Sequence, residues 1–138
     1  MDTRNTCYTA FKIVGAFNPD EVSEMLELIP DRSLKIGDLR RDGTKYDFAL
    51  WEIGKCTEYD VNVENQMRKS IEALKDKTEV LNRIREEFDA SFYLEIVPTI
   101  YVDDINPCLA PSLDVIDFCH ATRTQIDIDM YLCNSENG

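Results

Sequence analysis

The alternation from Gln125 to Leu132 constrains this chain more than any other feature. Ile126, Ile128, Met130 and Leu132 fall on one side, and Gln125, Asp127, Asp129 and Tyr131 on the other. A period of two is a strand, and a strand apolar on one side and charged on the other belongs to a sheet with one covered face and one wet face. Cys7 to Val14 repeats the pattern, with Cys7, Thr9, Phe11 and Ile13 opposed to Tyr8, Ala10, Lys12 and Val14. Phe92, Leu94 and Ile96 alternate with Tyr93, Glu95 and Val97, and Pro98 is expected to stop that strand or mark it as an edge.

Helical spacing supplies the cover. Asn18-Pro19-Asp20-Glu21 is a helix start, with Asn18 as cap, Pro19 in the first turn and Glu21 completing a capping box. Val22, Met25, Leu26 and Ile29 continue the helix, which Pro30 should end. Val63, Met67, Ile71 and Leu74 form a second stripe, and Val80, Leu81, Ile84 and Phe88 a third, with Thr78 as its expected cap. Ser112 caps a fourth helix ending near Thr122, after a loop punctuated by Pro107 and Pro111. Between the first two helices, Ser33 to Leu39 reads as a weak strand, Asp42-Gly43 as a hairpin turn, and Tyr46 to Gly54 as a strand with both faces partly buried.

The order β-α-β-β-α-α-β-α-β predicts a single α+β domain over residues 1–138, with a frayed tail at 134–138. The expected architecture is a mainly antiparallel sheet of about five strands with helices packed on one face. Its β-α-β-β opening is partly ferredoxin-like. At 138 residues and 43% hydrophobic content, the chain can build one real core without a disulfide or metal staple. The five cysteines, Cys7, Cys56, Cys108, Cys119 and Cys133, are odd in number and none form a Cys-x-x-Cys pair, so they read as buried free thiols. No apolar run approaches the ~18 residues of a membrane span. The Met1-Asp2-Thr3-Arg4 start lacks a signal peptide's basic and apolar regions, so a cytoplasmic location is expected.

A net charge of −12 opposes binding to nucleic-acid backbones or anionic membranes and is compatible with a basic protein partner. With the helices on the Ile-rich face, Tyr93, Glu95, Asp127, Asp129 and Tyr131 are expected to share the opposite face. Tyrosines there offer rigid contact area and acids offer steering. The leading expectation is therefore a protein-interaction module, in the style of an immunity protein that binds a basic toxin or nuclease.

Two alternatives come from other classes. Asp103, Asp104 and the lone His120, with Asp117 three residues before it, could bind a divalent metal or do acid–base work if they converge. Their everyday reading is turn chemistry for the aspartates and a helix-end position for the histidine. A small-ligand pocket between the Trp51 strand and the Pro-rich loop is the other alternative, although a strand tryptophan is more often core. No Gly-x-Gly-x-x-Gly, phosphate-binding loop, Gly-x-Ser-x-Gly or His-Glu-x-x-His occurs, so neither a cofactor nor a metal is expected.

The chain also resembles a bacterial family, domain of unknown function 4279. The blocks that carry the resemblance are Phe17-Asn18-Pro19-Asp20-Glu21 after the opening strand, Ile29-Pro30-Asp31-Arg32-Ser33, Lys35-Ile36-Gly37-Asp38, the Trp51 strand, Phe92-Tyr93-Leu94-Glu95 and the closing helix–strand. They follow one another in order over most of the chain. The resemblance implies a compact α+β domain and transfers no catalytic residue.

Overall fold

The computed structural model describes residues 4–134. The outer residues of the expected tail, 135–138, lie outside the described range. Six strands form one sheet: β1 (Thr6–Gly15), β2 (Arg32–Leu34), β3 (Ala49–Cys56), β4 (Ser91–Tyr101), β5 (Gln125–Ile128) and β6 (Tyr131–Cys133). Among the described residues, four α-helices accompany them: α1 (Pro19–Leu26), α2 (Glu64–Ile71), α3 (Thr78–Phe88) and α4 (Leu113–Thr122), with a 3-10 turn at Glu72–Leu74 extending α2. The strand order is β2-β3-β1-β4-β5, with β6 beside the far end of β4. This is the α+β, mostly antiparallel sheet that the patterning predicts. β1 pairs antiparallel with β3 and β4, and β2 with β3. β5 and β6 instead run parallel to β4, because α4 carries the chain back to the starting end of the sheet.

The odd-numbered side chains of β1, those of β3 as far as Ile53, and the even-numbered ones of β4 form the covered face. Phe11, Ile13, Trp51, Phe92, Leu94 and Ile96 are buried there against Met67, Leu81, Ile84 and Val115 from the helices. The Phe11 and Phe92 rings lie 5.6 Å apart between centroids, a tilted aromatic pair that joins the two central strands. Trp51 donates its indole N–H to Ser23 Oγ at 2.9 Å, which ties α1 to β3 and satisfies the ring's polar end. Among the described residues, no helix lies on the opposite face.

One bulge shapes the covered face. Thr9 opposes Cys56 and Phe11 opposes Ile53, so β3 holds one residue more than β1 between these pairs. Gly54, with φ +72°, takes up the extra length. The bulge brings β3 against α2. Ser70 donates to the Gly54 carbonyl at 2.7 Å and contacts the Thr9 hydroxyl at 2.7 Å, while Gln66 donates to the Cys7 carbonyl at 2.9 Å. These buried polar groups are therefore paired.

Asn18 caps α1, accepting from the N–H of Asp20, and Ser112 caps α4 through the N–H of Val115. The α1 bond falls on Asp20, and no bond from the Glu21 side chain is seen. α1 stops at Leu26, earlier than Pro30 requires. Glu27 turns left-handed, and the N–H of Leu28 closes back on Ser23, leaving Ile29 89% exposed outside the helix. Thr78 does not cap α3: it is already helical, and Lys77 holds the cap position without a side-chain bond. Leu39 bridges Lys45 around Gly43, as Asp42-Gly43 predicts. β3 begins only at Ala49, because Tyr46 is bonded to Gly37 and Asp38 instead of to the sheet. Cys7 and Cys119 are buried, whereas Cys56 and Cys133 are half-buried and Cys108 is exposed, so the thiols are free but not uniformly buried.

Pro98 neither stops β4 nor lies on an edge. The strand runs through it to Tyr101, inside the sheet. Ile96 turns its carbonyl to the Asp129 N–H, so Pro98, two residues on, turns its nitrogen to the same side. That position faces the gap between Ile128 and Tyr131, where β5 has ended and β6 has not begun. No ladder donor is required there, and proline fits. The same gap splits the expected single closing strand in two.

Candidate functional site

The uncovered face of the sheet gathers the five residues expected to form a contact surface. Tyr93 and Glu95 project from β4, and Asp127 stands opposite Glu95 on β5. Tyr131 stands opposite Thr99, on the same side of β4 as Tyr93 and Glu95. Tyr131 also donates its hydroxyl to Asp129 at 3.1 Å. That bond and the Asp129 charge push the Tyr131 phenol above its ordinary pKa. Tyr93, Glu95 and Asp127 are half-buried, and Asp129 and Tyr131 are exposed.

Strand patterning alone does not single out Tyr8, Lys12 and Glu52, which share this face. Lys12 sits mid-strand on β1 and reaches both neighbouring strands. Its ammonium is 2.9 Å from Glu95 and 3.5 Å from Glu52. The Glu52 side chain is only 6% exposed. Tyr8 donates to the other Glu95 oxygen at 2.9 Å, and burial together with this bond raises its phenol to about 12. A signal is present, since Tyr8 and Lys12 are the polar members of the second face of a strand whose first face is all core. What the sequence lacks is the register that places Glu52 and Glu95 on either side of Lys12.

Beside this ion trio lies a groove of about 310 Å³. Tyr46, Phe48 and Tyr93 supply apolar surface to it, and Lys12, Glu95 and Asp127 supply charge. The Arg40 guanidinium lies 4.5 Å from the Tyr46 ring centre, so this aromatic corner already accepts a cation from the chain itself.

The fold does not bring Asp103 and Asp104 together with His120. The aspartates follow the end of β4 at Tyr101, whereas α4 leads from His120 to Gln125, which pairs with Tyr93 near the start of β4. Eight strand residues, roughly 26 Å at 3.3 Å per residue, separate those ends. Asp104 instead holds its own loop in place. Its carboxylate accepts the Asn5 N–H at 2.7 Å and the Ile105 N–H at 2.8 Å. Asn5 in turn donates to the Ile105 carbonyl and accepts from the Tyr101 N–H, both at 2.7 Å, so this loop is clasped to the head of β1. Cys119 beside His120 is buried, and burial pushes its thiol up to about 11, which opposes thiolate formation at neutral pH. His120 is exposed, and Asp117 lines a different groove from it. Among the described residues, no group of three or more His, Cys, Asp or Glu side chains is placed to hold a metal ion. Nor, among them, is any helix long and apolar enough to cross a membrane.

A six-stranded α+β sheet with helices on one face and a charged, tyrosine-bearing second face defines the class of protein. The chain belongs to the family described as domain of unknown function DUF4279, whose model matches residues 5–133. No curated protein and no solved structure matches the chain.

Proposed function

We propose that this protein is a protein-interaction module that receives a basic partner on its uncovered sheet face. The observation that carries the reading is the collection of Tyr93, Glu95, Asp127, Asp129 and Tyr131 on one helix-free surface. Tyr131, held by its bond to Asp129, and Tyr93 present aromatic contact area, and acids in a molecule of net charge −12 steer a cationic surface toward it. Glu95 is already held by Lys12 and Tyr8, so Asp127 and Asp129 carry the steering. An acidic antagonist of a basic toxin or nuclease is the concrete version of this role.

The test is capture of partners by the immobilised protein at low and at high salt, set beside the variant Asp127→Lys/Asp129→Lys. The expected outcome is a basic protein held at low salt, released at high salt and not captured by the variant. Equal capture by both proteins at both salt concentrations refutes the reading.

A further inference from the structure

The two edges of the sheet are built differently. β2 closes one edge with three residues, Arg32–Leu34, short enough to offer a second chain little to pair with. The other edge is the β5–β6 segment, Gln125 to Cys133, whose strands, among the described residues, pair with β4 alone. It contains no lysine, no arginine and no proline, and although its strands are only four and three residues long they follow one another along β4 from Gln125 to Cys133. The N–H of Asp129 points to the Ile96 carbonyl, so alternation turns the N–H and C=O of Ile128 and Ile126 away from β4. Ile128 and Met130 are each 44% exposed and Leu132 is 75% exposed. The apolar face expected for the closing strand is therefore covered only at Ile126, which packs on the core.

The flanks of this edge differ in chemistry. On the helix side, a groove of about 800 Å³ runs between the end of α4 and the start of β5. Ile116, Cys119, His120, Arg123, Gln125 and Ile126 are among its lining. On the uncovered side stand Asp127, Asp129 and Tyr131. A strand laid along the edge would point alternate side chains to these two flanks.

We propose that the β5–β6 edge takes up an extended segment of a partner by strand addition, and that this segment alternates basic with apolar side chains. The backbone groups of Ile126 and Ile128 pair with it. Its apolar side chains cover Ile128 and enter the groove beside α4, and its Lys or Arg side chains meet Asp127 and Asp129. Charge selects the occupant: a second copy laid antiparallel would oppose these aspartates with its own, and like charges across a strand pair are destabilising. This inference rests on the proposed reading that the protein receives a basic partner, and it specifies how the partner is held.

The test uses the intact protein and an eight-residue peptide alternating Lys and Val, followed by two-dimensional NMR. A peptide of the same composition in scrambled order is the comparison. The alternating peptide should shift the amides of Gln125 to Leu132 and bind about tenfold more tightly than the scrambled one. Ile128→Pro removes an outward N–H and no bond to β4, and should weaken binding about tenfold, whereas Ile128→Ala keeps that N–H and should cost much less. Methylation of the peptide's backbone nitrogens on its pairing side should abolish binding whether or not the proline variant folds. Equal binding of the ordered and scrambled peptides, indifference to N-methylation, or a chain that dimerises through this edge overturns the proposal. The two readings separate cleanly. If Asp127→Lys/Asp129→Lys abolishes capture of a basic partner while Ile128→Pro and N-methylation change nothing, the acidic face stands and strand addition falls.

Discussion

Gly54→Ala should be among the most damaging single-methyl changes available in this protein. A Cβ built on Gly54 overlaps the Ser70 carbonyl oxygen and stands 2.7 Å from both the carbonyl carbon and Cα of Ser70. Those atoms are α2 backbone and cannot rotate aside, so β3 or α2 must shift. Left-handed backbone at φ +72° adds about 1–2 kcal/mol for any L side chain. Overpacking against a fixed neighbour adds roughly 1–3 kcal/mol. Separation of β3 from α2 also threatens the Ser70 bonds to Gly54 and Thr9, each worth about 1 kcal/mol. The expected loss is at least ~3 kcal/mol, or a fall of roughly 10 °C in Tm for a chain of this size. Urea denaturation with matched thermal scans measures it. Gly43→Ala is the internal control: φ is +87° there, but nothing lies within 4 Å of the added Cβ, so only the backbone penalty applies. If Gly54→Ala costs no more than Gly43→Ala, the close approach of α2 to the bulge is not what that glycine serves.

Lys12→Met should cost about 3–5 kcal/mol, because it strands the buried Glu52 carboxylate and removes the cation holding Glu95. Adding Glu52→Gln should recover part of that loss, and a urea double-mutant cycle that shows simple additivity would count against the ion trio. Stability should also decline as pH rises above 9. Burial raises the Cys7 and Cys119 thiols from 9.0 to about 11, and burial with the Glu95 bond raises Tyr8 from 10.0 to about 12. These groups lose protons first in the unfolded chain, so their contribution is complete below pH 9 and disappears as pH climbs through 11 to 12. Urea midpoints measured across that range should fall, more gently in Cys119→Ala, and a flat profile would exclude the linkage.

Period-two and period-3.6 patterns place the elements well because each is a local consequence of which side a chain buries. Cys7 to Val14 and Phe92 to Val97 need nothing beyond their own alternation. The misreadings arise where a distant partner decides. Pro98 suggests an edge until the gap between Ile128 and Tyr131 is seen opposite it, and that gap belongs to another segment. Helix α1 ends at Leu26 because Glu27 adopts a left-handed turn, a choice that the apolar stripe continuing to Ile29 conceals. The tyrosines and acids of the helix-free face are legible from parity alone. Lys12 and Glu52 are not, because only the register between β1 and β3 brings them together. Asp103, Asp104 and His120 are near in sequence and far apart in space, since β4 and α4 run between opposite ends of the sheet.

The pairing of the first strand with the fourth governs how this chain must be born. The Asn5–Asp104 bond spans a sequence separation of 99 residues, and Tyr101 reaches back to Asn5 over 96. At about 5–20 residues per second, a ribosome needs roughly 5–20 s to deliver the second partner after the first. During that interval Phe11 and Ile13 have only β3 and the early helices for company. A topology so dominated by distant pairings belongs to the slower, millisecond-to-second folders. The β5–β6 edge pairs with β4 and follows it in sequence, so it joins the sheet only after the β1–β4 pairing has become possible.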